Sequence, residues 1–202
     1  MKTTGIILAG GKNKRIGTEK AFIQLKPELS LIENTLNLFR KIFSEIIIVS
    51  NNPLPYLKFE TRVVEDLFKD KGPLSGIFSG LCFSNSELNF VIACDMPFPS
   101  TELIKYIIRQ PEDYDLVIPE MGGRLEPLFA RYSKSSIPTI FFHLVEENLK
   151  LQDIPENLQV LKINLKEIEQ FDPQHLSFFN VNTEEDLEKA KRLFSFLNKI
   201  NN

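Results

Sequence analysis

The sequence predicts an α/β fold: a doubly wound, mostly parallel sheet with helices on both faces. Three observations predict it. Short apolar runs rich in β-branched residues recur at 5–9, 45–50, 88–94 and 114–118. Stretches of helical character separate most of them. Polar residues cluster where those runs stop. Alternation of buried strands with helices is the pattern of a sheet covered on both faces.

The elements follow in order. Gly5 to Ala9 is a buried strand. Ala21 to Leu25 is half-apolar and is broken by Lys26-Pro27. From Leu31 the apolar positions Leu31, Ile32, Leu36, Leu38, Phe39, Ile42 and Phe43 recur near helical spacing. Glu45 to Ser50 is a β-branched strand that ends in Asn51-Asn52-Pro53, a turn. Phe59 to Val64 is a short strand closed by Glu65-Asp66. Lys71-Gly72-Pro73-Leu74-Ser75-Gly76 opens a helix through Leu81, and Leu88 to Cys94 is a strand ending at Asp95. Thr101 to Arg109 is helical, capped by Ser100 or Thr101, and Tyr114 to Ile118 is a strand. Beyond 118 the order loosens. Gly122-Gly123 reads as a hairpin turn into Leu128 to Tyr132. A helix from Ile137 to Leu149, a strand from Val160 to Leu165, a short strand from Ser177 to Val181 and a last helix from Thr183 to about Leu197 complete the chain. One domain over 1–202 is expected.

The loop after the first strand is the most informative stretch. After the strand the chain breaks at Gly10-Gly11, then carries Lys12, Lys14 and Arg15, Gly17, and shortly Lys20. Glycine lets backbone N–H groups approach an anion with no Cβ between them, and consecutive N–H groups in such a turn form an anion-binding concavity. Cations complete a polyphosphate site, Arg by bidentate contacts and Lys as a point charge. The pattern is neither G-x-x-x-x-G-K-[ST] nor G-x-G-x-x-G. A surface turn with solvated lysines is the plain alternative to a phosphate site here, and Lys14 is left to it.

In sheets of this type ligands bind outside the carboxyl ends of the strands. The glycine loop, Asn51, Asp66 and Asp95 all fall at such ends. Each alone is ordinary turn chemistry; four together point to a site.

Composition excludes several classes. The 202 residues carry a formal net charge of −3, so nucleic acid is not an expected partner. No apolar run has membrane-span length, and the residues before the first strand have no signal-peptide pattern. Cys82 and Cys94 form no C-x-x-C, which favours a reduced, cytoplasmic protein. His143 and His175 offer no zinc pattern.

Taken together, the segments resemble the molybdenum cofactor guanylyltransferases. The resemblance is carried, in order, by Leu8-Ala9-Gly10-Gly11-Lys12 through Arg15-Ile16-Gly17 with Glu19-Lys20, by Val64-Glu65-Asp66, by Gly72-Pro73-Leu74-Ser75-Gly76, by Ala93-Cys94-Asp95-Met96-Pro97, by Glu126-Pro127-Leu128-Phe129-Ala130 and by Asn180-Val181-Asn182-Thr183. Two positions depart from it: Glu19 stands where the family often has Asp, and Glu126 where some members have His.

The resemblance implies a Rossmann-like nucleotidyltransferase fold, with a nucleotide-binding half to about 118 and an acceptor-binding half from about 119. It implies transfer of GMP from GTP to molybdopterin, with Mg²⁺ and release of pyrophosphate, and transient contacts with cofactor-biosynthesis or molybdoenzyme-maturation proteins. The expected catalytic residues are Arg15, Lys20 and Asp95, with Arg15 and Lys20 on the triphosphate and Asp95 on the metal. By position alone a turn cap would serve as well for Asp95. Leu8, Ala9, Gly10, Gly11 and Lys20 are expected around the phosphates, Asn51 and Asp66 around base and ribose, and Gly72, Pro73 and Gly76 as a flat wall beside the base. Asn180 and Asn182 are expected on the acceptor side, although Asn182 with Glu185 also reads as a capping-box variant. Two other readings stay open: a nucleotidyltransferase using CTP or a sugar-phosphate acceptor, and a nucleotide-binding module without turnover.

Overall fold

The structure, a computed structural model, describes residues 2–10 and 19–200, with the backbone alone for 198–200. Strand β1 (Thr3–Leu8) is the central strand. A two-stranded hairpin, β2 (Gln24–Lys26) and β3 (Leu29–Ser30), leads into α1 (Leu31–Phe39). Next come β4 (Glu45–Val49), β5 (Arg62–Val64), α2 (Gly72–Phe83), β6 (Leu88–Ala93) and α3 (Thr101–Ile108). The remainder is β7 (Leu116–Met121), β8 (Arg124–Leu125), β9 (Phe129–Ser133), α4 (Ile137–Val145), β10 (Val160–Ile163), α5 (Leu165–Glu169) and α6 (Glu184–Ile200).

The main sheet runs β10-β7-β9-β6-β1-β4-β5, with β8 hairpinned onto β7. Neighbours β6, β1, β4 and β5 are mutually parallel, as are β10 and β7; β9 alone on this path runs against both its neighbours. The expected doubly wound α/β fold is therefore present.

Alternation along the strands explains the two layers. In β1, Ile7 joins Phe39, Leu36, Leu103, Ile107 and Ile168, so α1, α3 and α5 lie on its side. Ile6, one residue earlier, joins Leu74, Ile77, Leu81, Ile140 and Leu144 of α2 and α4. Successive side chains of a strand point to opposite faces, so a buried strand needs apolar residues at every position. Helix α6 packs elsewhere: Ala190, Leu187 and Phe194 meet Ile23, Leu25 and Leu31 around the small hairpin.

Two local readings are corrected and one helix is added. Ser177 to Val181 is not a strand; 176–178 form a 3₁₀ turn. The Asp172 carboxylate accepts from the backbone N–H groups of Leu176 (3.1 Å) and Ser177 (2.8 Å), so these donors are taken by a side chain rather than by a ladder. Strand β5 is shorter than 59–64 because residues 54–59 wind into a 3₁₀ turn that buries Tyr56 and Phe59. Helix α5 had no sequence expectation; Asn164 and Glu167 start it with a reciprocal capping box.

Candidate active site

The strands of the parallel half stop together, and the pairing carries on one residue past each. Ala9 donates to Val49 O (2.9 Å), Ser50 to Val64 O (2.9 Å) and Cys94 to Leu8 O (3.0 Å). Gly10, Asn51 and Asp95 therefore emerge side by side from the carboxyl edge of the sheet, with Asp66 just beyond β5.

Lys20 opens a 3₁₀ turn, Lys20–Phe22. Its Nζ lies 2.9 Å from Asp95 Oδ2 and donates to Asn182 Oδ1 at 2.7 Å. The Lys20 and Asp95 side chains are 13% and 17% exposed, a mostly desolvated pair open to solvent on one side. Val181 N donates to Asp95 O at 2.9 Å, which fastens the 180–183 segment beside the end of β6. Three residues drawn from far-apart segments thus meet at one point: a cation, a carboxylate and an amide.

A second cluster lies at the neighbouring strand ends. Asn51 Nδ2 donates to Asp66 Oδ2 (2.7 Å), and Asp66 N donates to Asn51 Oδ1 (3.1 Å). Burial pushes the Asp66 carboxyl above the usual range, and the Asn51 bond draws it partly back. Gly76 packs against this pair: a Cβ there would lie 3.1 Å from Leu8 Cδ2 and 3.7 Å from Asp66 Oδ1. The chain after Asp66 is pinned to α2, with Leu67 N donating to Ser79 Oγ (2.8 Å) and Phe68 N to Ser75 Oγ (3.2 Å).

The fold agrees with what the chain is similar to. The model of the MobA-like NTP transferase domain matches residues 5–152. The molybdenum cofactor guanylyltransferase of Desulfosudis oleivorans is 36% identical over 189 residues, covering 93% of this chain and 94% of that one. The chain belongs to the molybdenum cofactor guanylyltransferase family. Among solved structures, the molybdopterin-guanine dinucleotide biosynthesis protein A of Archaeoglobus fulgidus matches with a TM-score of 0.84 at 28% identity, over 96% of this chain and 99% of that one. The 2-C-methyl-D-erythritol 4-phosphate cytidylyltransferase of Thermus thermophilus matches with a TM-score of 0.69 at 17% identity, covering 96% and 98%, a likeness of fold. The chain is a nucleotidyltransferase.

The structure brings together Lys20, Asp95 and Asn182 as one group of the expected guanylyltransferase residues, and Asn51, Asp66 and Gly76 as another. Gly72, with φ +63°, and Pro73 are exposed at the start of α2. Leu8 and Ala9 are buried, and Leu8 O, Ala9 N and Ala9 O all carry hydrogen bonds within the protein, so these two residues build the floor. Gly10 is open: a Cβ there meets nothing within 4 Å. Gly11 and Arg15 lie outside the described residues.

Asn180 donates to Phe178 O of its own segment (3.0 Å) and makes no bond to Lys20 or Asp95. One local reading changes. The capping box of α6 is formed by Thr183 and Asp186, each accepting from the other's backbone N–H (3.1 and 2.9 Å). Asn182 precedes the cap, so its side chain is free to meet Lys20.

Sequence reasoning missed Tyr56. It is buried with its hydroxyl on Ala9 O (3.1 Å) and Glu19 Oε2 (3.3 Å), and only the 3₁₀ turn places it there. Glu126 is half-buried at the carboxyl end of the sheet, its carboxyl pushed up by burial. Among the described residues no cluster of three His, Cys, Asp or Glu side chains could hold a metal. The donor set nevertheless suits Mg²⁺, which is commonly held by one or two carboxylates together with substrate phosphates. Among the described residues nothing donates to Asp95 Oδ1, while Oδ2 takes Lys20. No described helix is long and apolar enough to cross a membrane.

Proposed function

We propose that this protein transfers GMP from GTP to the terminal phosphate of molybdopterin and releases pyrophosphate. The observation that carries this reading is the meeting of Lys20, Asp95 and Asn182 at the carboxyl edge of the sheet, beside the open backbone at Gly10. An acceptor phosphate oxygen attacks the α-phosphorus of GTP. The new P–O bond forms as the bond to the bridging oxygen of the β-phosphate breaks, and that oxygen leaves with pyrophosphate. A phosphate monoester has its second pKa near about 6, so the acceptor is already an anion at neutral pH and needs no protein base. Catalysis is then positioning and neutralisation of charge.

Each residue has a part. Lys20 neutralises phosphate charge, and Arg15 is assigned to the same task. In the absence of nucleotide, Asp95 and Asn182 keep the Lys20 ammonium at the site; their bonds to it support this role. Asp95 would hold Mg²⁺, which when bound supplies Lewis-acid stabilisation of the reacting phosphate. Gly10 and Gly11 admit phosphate oxygens close to the backbone. Asp66, oriented by Asn51, accepts from N1–H and the 2-amino group of guanine, donors that adenine and cytosine do not present together. Gly72, Pro73 and Gly76 line the base, and Asn180 and Asn182 face the acceptor side. The free thiols Cys82 and Cys94 support a reducing, cytoplasmic setting, in which the proteins that make or use the cofactor would be its transient partners.

The deciding experiment is pyrophosphate release with molybdopterin as acceptor, using GTP, CTP, ATP and UTP in turn. Release that requires the acceptor and Mg²⁺ and favours GTP is expected. Preference for CTP would replace guanylyl by cytidylyl transfer, and binding without release would reduce the protein to a nucleotide-binding module.

A further inference from the structure

Tyr56 is 0% exposed, on a turn whose neighbours Leu54 and Leu57 face solvent. A buried phenol needs one hydrogen-bond partner, and it has one proton to give. Here two acceptors face it: Ala9 O at 3.1 Å and Glu19 Oε2 at 3.3 Å. The other Glu19 oxygen, Oε1, accepts from Asn52 Nδ2. Both carboxylate oxygens of Glu19 therefore face neutral donors from one segment more than thirty positions further along. Two residues after Lys20, the Phe22 ring packs on the Tyr56 ring with centroids 4.9 Å apart. Tyr56 thus grips the chain on both sides of Lys20, by its hydroxyl at Glu19 and by its ring at Phe22.

Lysine has a flexible four-carbon stem, so its ammonium is placed only as well as its backbone is. We propose that Tyr56, with Glu19 and Asn52, is a positioning unit for Lys20. It fixes the backbone at 19–22 so that the ammonium sits between Asp95 Oδ2 and Asn182 Oδ1. None of the three touches the reacting phosphates; they act through Lys20. Glu19 also fits this part better than direct work on phosphate, because an anion facing a triphosphate would repel it. The kinetic arm of the test rests on the transferase reading above; the spectroscopic arm does not.

The test uses the full chain carrying ¹³C-lysine, with the Lys20 Cε signal assigned by its loss in Lys20→Arg. Tyr56→Phe keeps the ring on Phe22 and removes the hydroxyl. Asn52→Ala, at an exposed position, serves if the buried variant folds poorly. Both are expected to shift and broaden the Lys20 signal without nucleotide present. Each should lower kcat, by about tenfold for Tyr56→Phe, since small misplacements of a positioning group cost on that order. The KM for GTP should change by less than about threefold, because the glycine loop still binds the phosphates. Combining Tyr56→Phe with Glu19→Ala should cost no more than Glu19→Ala alone, as for residues that act as one unit. An unmoved Lys20 signal in both variants, or fully additive losses, would overturn the proposal. A wild-type protein that releases no pyrophosphate, yet whose Lys20 signal moves in the variants, would instead sink the transferase reading and leave the positioning unit standing.

Discussion

Lys20 and Asp95, 75 positions apart in the chain, meet as an ion pair of 2.9 Å at the carboxyl edge of the sheet. Truncating a partner of such a mostly buried pair leaves the other charge poorly compensated, so both residues must be tested by substitutions that keep shape. Asn182, which accepts from the same ammonium at 2.7 Å, keeps Lys20 bonded when the carboxylate is neutralised.

Asp95→Asn is accordingly expected to fold. Pyrophosphate release in a single turnover, normalised to folded protein, should fall by at least about a hundredfold, the scale of losing one electrostatic stabiliser of the transition state. GTP affinity should change far less, because the glycine loop and Lys20 still bind. A near wild-type rate would reduce Asp95 to a turn residue.

For Asp66 the prediction concerns pH. Burial raises its folded-state pKa above the unfolded value, so the folded protein holds this proton more tightly. The sign for stability follows: the contribution is fully present below the unfolded pKa and is lost as pH rises through the folded one. For ligand binding the sign is opposite, since only the carboxylate accepts from guanine. GTP affinity should therefore weaken on acidification at a pH above that of an ordinary Asp, and Asp66→Asn should abolish this dependence together with the preference for GTP over ATP. Calorimetry across acidic pH checks both; an unchanged preference in Asp66→Asn would move base recognition elsewhere.

Gly10→Val should keep the fold and lose nucleotide. A Cβ at Gly10 meets nothing within 4 Å, and the backbone there has no positive φ. The branched side chain would instead fill the space assigned to phosphate. A well-folded variant by circular dichroism that binds GTP normally would remove Gly10 from the phosphate site.

Gly80→Ala should do the reverse. A Cβ there would lie 2.6 Å from Ile6 Cγ2, inside the fully buried contact of α2 with β1. Overpacking of this kind costs typically about 1–3 kcal/mol, to be read from denaturant unfolding, while the rate per folded molecule should hold. An unaltered midpoint would mean that α2 can shift away from the sheet at no cost.

Much of this protein is written locally. Buried strands need apolar residues at every position, which is why β1, β4 and β6 are plain in the sequence within a residue or two. Glycine-rich breaks and acidic strand ends are equally local, so Gly10, Asn51, Asp66 and Asp95 could be singled out before any fold was known. What local pattern cannot report is which neighbour satisfies a polar group. Residues 177–181 read as a strand because their side chains are mostly apolar, yet the Asp172 carboxylate takes the backbone donors at 176 and 177 and the chain turns. The tertiary structure alone separates Asn180, bonded to its own segment, from Asn182, on Lys20. It alone also shows that a tyrosine of a solvent-edge turn reaches Glu19 and Ala9. The reason is physical: periodicity and turn chemistry follow from the geometry of adjacent residues, whereas a pairing across 75 or 162 positions exists only once the strand order has carried the two segments to one edge of the sheet.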